Sequence, residues 1–270
     1  NVGIGSQSIM ATTTGSSNTA VGHQTLKANT TGSENTAVGK DSLKLNTTGN
    51  YNVAVGNDAM LNNLASHCTA IGYKALTTNT TGDANTALGL RSLDLNTTGS
   101  NSTAVGYYAL RASTTANSNV AIGHNCLTAN TTGEQGVGVG QQTLASNTTG
   151  NFNTAVGRSA LNANTTASSN TAVGYFALDS NTTGAYNVAV GAYTLDANTT
   201  GSNNTAIGFE SLGGNTTASY NTAVGRYSLK LNTTGSDNSA FGYNALDANT
   251  AGSDNTALGT NALGANTTAS

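Results

Sequence analysis

Residues 153–169 read N-T-A-V-G-R-S-A-L-N-A-N-T-T-A-S-S, and residues 170–186 read N-T-A-V-G-Y-F-A-L-D-S-N-T-T-G-A-Y. The second segment repeats the first with changes at only a few places. Working outward, the same pattern covers the chain as 16 repeats of 17 residues, starting at Asn1, Asn18, Asn35, Asn52, Cys68, Asn85, Ser102, Asn119, Gly136, Asn153, Asn170, Asn187, Asn204, Asn221, Asn238 and Asn255. Repeats 52–67 and 255–270 are one residue short. No linker interrupts them, so residues 1–270 read as one uninterrupted array. A fixed period of this kind marks stacked repeats.

Numbering columns from the leading Asn, column 5 is Gly in every repeat, from Gly5 to Gly259. Column 4 is always apolar (Ile4, Val21, Phe241, Leu258), and column 9 is Leu, Ile or Met (Ile9, Leu26, Met60, Leu263). Columns 3 and 8 hold small residues. An amphipathic helix would need apolar residues at i, i+3, i+4 and i+7, and Asn, Thr, Ser and Gly are poor helix formers. The short β-branched T-A-V-G run predicts a strand. The fold class is therefore all-β, a parallel β-solenoid (β-roll or β-helix) with one coil per repeat, its core filled by columns 4 and 9. Like positions would stack about 4.8 Å apart, giving a rod of roughly 75–80 Å.

Composition narrows the function. Of 270 residues, 9 are Lys or Arg and 12 are Asp or Glu, so 8% of the chain is charged against about 25% in an ordinary domain. Nine scattered basic residues give no footprint for nucleic acid, and no apolar run is long enough to insert in a membrane. Every charge falls in columns 6, 7, 10, 16 or 17, which predicts that these form the solvated rim. The other twelve columns are more than a thin coil needs for its interior. The excess predicts an uncharged face packed against a partner chain or an ordered surface.

Asn fills column 12 in 14 repeats and column 1 in 13. Identical Asn stacked coil upon coil predicts amide ladders along the stack. The Asn-Thr-Thr triplets also fit the glycosylation acceptor pattern, which makes Asn29, Asn46, Asn79, Asn96, Asn130, Asn147, Asn164, Asn181, Asn198, Asn215, Asn232 and Asn266 candidate modification sites. The Thr ranks in columns 13 and 14 raise ice binding as an alternative. However, neighbouring residues of an extended chain point to opposite sides, so Thr30 and Thr31 cannot both face one plane.

Aromatic residues gather beside the charges in columns 6, 7 and 17. Tyr73, Tyr107, Tyr175, Phe176, Tyr193, Phe209, Tyr227 and Tyr243 are candidate surface-binding aromatics for a sugar or a receptor. His23, His67 and His124 lie in distant coils and different columns, so no Ser/His/Asp set is implied. No phosphate-binding Gly-rich motif occurs, and the Asp residues do not share one column. The expectation is no catalytic residue, metal or cofactor. Cys68 and Cys126 lie three coils apart, about 14 Å along the stack, too far for a disulfide.

The segments Asn153-Thr154-Ala155-Val156-Gly157 and Asn204-Thr205-Ala206-Ile207-Gly208 resemble the S-V-A-I-G-x-x-A repeats in heads of trimeric autotransporter adhesins (YadA-like). They also resemble N-T-A-x-G-x-x-A-L arrays of phage tail fibres. The resemblance covers all the repeats. It implies a left-handed parallel β-roll, three chains side by side, and attachment at a cell or virion surface. The adhesin repeat has about 14 residues, and here N-T-T-G lengthens it. The expected function is a non-enzymatic element of an extracellular fibre, filament or adhesin rod. It would be homo-oligomeric, as a trimer or as a head-to-tail polymer in which Ser270 meets another copy's Asn1, and would carry a possible host receptor or glycan contact. The alternative is a monomeric ice- or glycan-binding solenoid.

Overall fold

The computed structural model describes residues 1–270. The chain divides into two compact units, Asn1–Gln135 and Gly136–Ser270. Each contains eight three-residue strands and no helix, from β1 (Val2–Ile4) to β8 (Val120–Ile122) and from β9 (Val137–Val139) to β16 (Thr256–Leu258). Within a unit each strand pairs in parallel with the strand one repeat away. Thr154 faces Thr171, Ala155 faces Ala172, and Val156 faces Val173. The parallel β-solenoid read from the period is the observed fold.

The strands are short because left-handed residues interrupt the coil. Column 9 has φ between 48° and 55° from Ile9 to Leu263, and columns 7 and 17 are left-handed as well. Left-handed backbone costs an L-residue about 1–2 kcal/mol. At column 9 burial offsets this: Leu26, Leu43, Leu161 and Leu178 are fully enclosed, and enclosing a Leu side chain contributes about 1.5–3 kcal/mol. Column 5 has no such compensation. Gly157 has φ 128°, and a Cβ there would collide with the Gly174 carbonyl of the next coil. Only Gly fits.

Beyond the strands, main-chain hydrogen bonds run in both directions between coils. Leu26 N–H donates to Ser42 O, and Ala28 N–H to Lys44 O, one coil onward. Gly22 N–H donates to Ile4 O, and Gln24 N–H to Ser6 O, one coil back. Many turn residues are thereby paired as well as the strand residues, as buried backbone requires.

The structure corrects the expected core. Column 3 Ala points inward and is enclosed, as at Ala20, Ala155 and Ala206. Its neighbours in columns 2 and 4 therefore point outward, because side chains alternate across a strand. Val38, Ile71, Leu88, Ile122, Val156, Val173, Ile207 and Phe241 of column 4 are 36–43% exposed. The interior holds one large column 9 side chain per coil, mostly Leu, small residues from columns 3, 8 and 15, and the Asn of columns 1 and 12.

Both Asn columns form the expected ladders. Asn198 Nδ2 donates to Asn181 Oδ1 at 2.9 Å, and Asn215 Nδ2 to Asn198 Oδ1 at 2.9 Å. Asn187 N–H donates to Asn170 Oδ1 at 2.9 Å. The two ladders converge on the column 15 carbonyl: Gly201 O accepts from Asn187 Nδ2 at 2.9 Å and from Asn198 Nδ2 at 3.0 Å. The short repeat 52–67 loses its residue inside the N-T-T-G turn, where Asn63 Nδ2 reaches Ala65 O directly at 2.9 Å.

The column 12 ladder breaks at Ser113, the residue standing where neighbouring coils have Asn. Asn96 Oδ1 and Ser113 Oγ are both buried without a hydrogen-bond partner. Ser113→Asn restores the missing donor, and we expect a gain of about 1 kcal/mol, read as a raised urea midpoint. Gly157→Ala should lower the midpoint by more than that gain raises it, because it forces both a strained φ and a backbone collision.

Candidate functional site

Two surfaces stand apart from the uniform stack. The first is the outward face of the strands. Column 2 carries Thr, Val or Ser, column 4 carries an apolar residue, and neither column carries a charge. Each unit presents eight such pairs. With column 4 residues half-buried to about two-fifths exposed along most of the strip, its apolar area in one unit is on the order of a few hundred Å², the size at which an exposed apolar patch marks a contact surface.

The second surface is the edge formed by columns 6, 7 and 10. In Gly136–Ser270 it carries a continuous run of rings. Phe176 and Tyr193 stack at 5.9 Å with their planes 7° apart. Tyr193 meets Phe209 at 6.1 Å edge-on, Phe209 meets Tyr227 at 5.7 Å, and Tyr227 meets Tyr243 at 6.3 Å. Tyr175 joins at 4.4 Å from Phe176. Arg158 lies 5.7 Å from the Tyr175 ring centre, and Arg226 4.5 Å from that of Tyr227. Six of the candidate aromatics thus form one cross-coil ladder. The other two are elsewhere: Tyr107 stacks with His124 at 5.2 Å, and Tyr73 lies 5.5 Å from Lys74 Nζ.

The rim of charges is less uniformly solvated than its columns imply. Asp41 and Asp94 are buried. Asp41 pairs with Lys44 at 3.1 Å, and Asp94 with Arg91 at 3.6 Å. Columns 7 and 10 are three residues apart on either side of a left-handed Leu, which folds them onto each other. That contact was not visible without the φ signs.

The candidate glycosylation residues lie inside. Asn29, Asn46, Asn79, Asn96, Asn130, Asn147, Asn164, Asn181, Asn198, Asn215 and Asn232 are buried, and their Nδ2 atoms donate to column 15 carbonyls, as in Asn164 to Ala167 O at 3.0 Å. In the final coil Asn266 is only half-buried, and its Nδ2 donates to Ala269 O at 3.1 Å. The buried amides have no room for a sugar in the folded chain, which corrects the sequon reading for them.

Hydroxyls are similarly committed. Column 13 Thr donates to the next coil, as in Thr97 Oγ1 to Thr114 O at 2.9 Å. Column 8 hydroxyls bond strand-end carbonyls, as in Thr194 Oγ1 to Gly208 O at 2.7 Å. No group of three or more His, Cys, Asp or Glu is placed to hold a metal ion. Cys68 and Cys126 are free and buried. Burial pushes their thiols up to about 11 and about 12, which makes them unreactive at neutral pH. No helix is long and apolar enough to cross a membrane.

No family model, curated protein or solved structure matches the chain.

One carboxylate on the edge is perturbed. Burial, with Glu210 and Asp179 nearby, pushes Asp196 up to about 6. Unfolded, it would ionise near pH 4, at roughly 3.9. Between those values the folded chain holds the extra proton, so this residue lowers stability as pH rises through the window. Asp196→Asn should therefore raise the melting temperature at pH 7 and leave it unchanged at pH 4, in thermal melts at both values.

Proposed function

We propose that this chain is a non-enzymatic structural element of an extracellular fibre or adhesin, packed laterally against further copies of itself through its strand faces. The observation that supports this is the outward rank of Val, Ile and Leu in column 4 beside the uncharged column 2. A monomer in water gains nothing from ordering eight outward apolar side chains per unit in one line. A second copy covering them would gain roughly 25 cal/mol per Å² of apolar surface removed. The absence of charge from both columns removes the desolvation penalty that such contact would otherwise carry. The likeness to trimeric adhesin heads and tail fibres makes three chains side by side the preferred arrangement. In this reading the variable columns 6, 7, 10, 16 and 17 remain outside and set the chemistry shown to the surroundings.

One observation favours a second reading. Thr in column 2 and an aliphatic residue in column 4 lie on the same side of each strand, so an uncovered face would offer regular hydroxyl and methyl ranks to ordered water. In that case the chain would act as an ice-binding monomer.

Light scattering distinguishes the two. The chain mass is 26.8 kDa. We expect a discrete species at three times that mass, converted to monomer by the double substitution Val156→Lys and Ile207→Lys. A monomeric wild type overturns lateral packing. Thermal hysteresis in that monomer, lost in the Lys variant, would establish the second reading instead.

A further inference from the structure

The sequence contains a single Gly-Gly dipeptide, Gly213-Gly214, in columns 10 and 11. Its neighbours in column 10 are Asp196 one coil before and Lys230 one coil after. Removing the side chain between them opens a cavity of about 300 Å³, bordered by Tyr193, Asp196, Glu210, Lys230 and Leu231. We propose that this cavity is a binding site for one pyranose unit of a neutral saccharide.

The shape and the chemistry fit that class together. The volume is at the small end of ligand sites, which run from roughly 300 to 1,000 Å³, and suits one ring. Asp196 Oδ1 lies 3.5 Å from the position a Gly213 Cβ would occupy, so it faces the notch. Glu210 is on the same rim, held at 2.7 Å from Lys230 Nζ, which also lies 4.5 Å from the Tyr227 ring centre. Two carboxylates accept hydrogen bonds from sugar hydroxyls, and the ammonium donates to a sugar oxygen. Tyr193 and Leu231 supply the apolar wall against which the C–H face of a pyranose packs, a role suited to a flat amphipathic ring. The raised protonation range of Asp196 agrees with a perturbed group in a cleft. Gly264 beside Asp247 repeats the column 10 vacancy, with Asp247 Oδ1 3.3 Å from its would-be Cβ, but there Asn261 stands in place of Glu210 and Asn244 in place of Tyr193. That position serves as a control.

The site is independent of lateral packing, since it uses columns 7, 10 and 11 and not columns 2 and 4. The test is saturation-transfer NMR of the full chain with methyl glycosides of glucose, galactose, mannose and N-acetylglucosamine. At least one should receive saturation. Gly213→Leu should abolish the signal by filling the notch; the same column holds Leu61 in another coil, and a Cβ at 213 meets no atom closer than 3.4 Å. Asp196→Asn should weaken binding at least tenfold, and Gly264→Leu should leave it unchanged. Circular dichroism of Gly213→Leu checks that the coil stack persists. No transfer to any of the four sugars, or transfer that survives Gly213→Leu in a folded variant, overturns the proposal. So does a response to calcium chloride at Asp196 with none to the sugars.

Discussion

The structure depends on two stacks of asparagine that meet at one carbonyl per coil. A coil of seventeen residues is too thin to enclose a conventional apolar core, and only one large aliphatic side chain per turn is buried. The remaining interior must be polar, and buried polar groups are costly unless paired. Asn is the residue that resolves this in a stack. Its amide donates sideways to close its own coil, and its oxygen accepts from the coil beside it. The pairing works only if the same residue recurs at the same place in the next coil, so the repeat is a physical requirement of the interior. Ser113 shows this directly, because one shorter side chain leaves two orphaned atoms.

From that constraint the outward surfaces follow. With Asn and Leu occupying the interior, the strand has room for only Ala on its inner side. The larger residues flanking it turn outward. The same geometry divides the exterior by chemistry. The strand face is apolar and uncharged, while the edge built from columns 6, 7 and 10 is aromatic and charged. In the function proposed above, the strand face would meet further copies of the chain and the edge would face the surroundings.

Much of this was legible in the residues. The period, the parallel stacking, the Asn ladders and the segregation of charge follow from seventeen columns read side by side. The orientation of column 4 did not follow. An invariant apolar column reads as core, and nothing in T-A-V-G says that Ala, not Val, faces inward. The left-handed Leu of column 9 was equally hidden, because Leu has no preference for positive φ and adopts it here under pressure from burial. The folding of column 7 onto column 10 depends on that Leu, so the partial burial of Asp41 and Asp94 was hidden too. The Gly213-Gly214 notch carries a visible mark, being the one place where two adjacent side chains vanish. Its significance depends on which residues stand above and below it, and the period alone supplies those neighbours.

The shortened coil at residues 52–67 has a meaning beyond its local turn. In an array of near-identical coils, a strand that pairs with the wrong neighbour finds almost the same contacts as with the right one, so the folding chain has many alignments of similar energy. A missing residue acts like an irregular tooth on a zipper. Any misalignment that passes it sets the shortened turn at residues 63–65 against coils other than its own neighbours. Together with Ser113 and the Gly213-Gly214 pair, it turns a periodic polymer into a chain whose coils can be told apart.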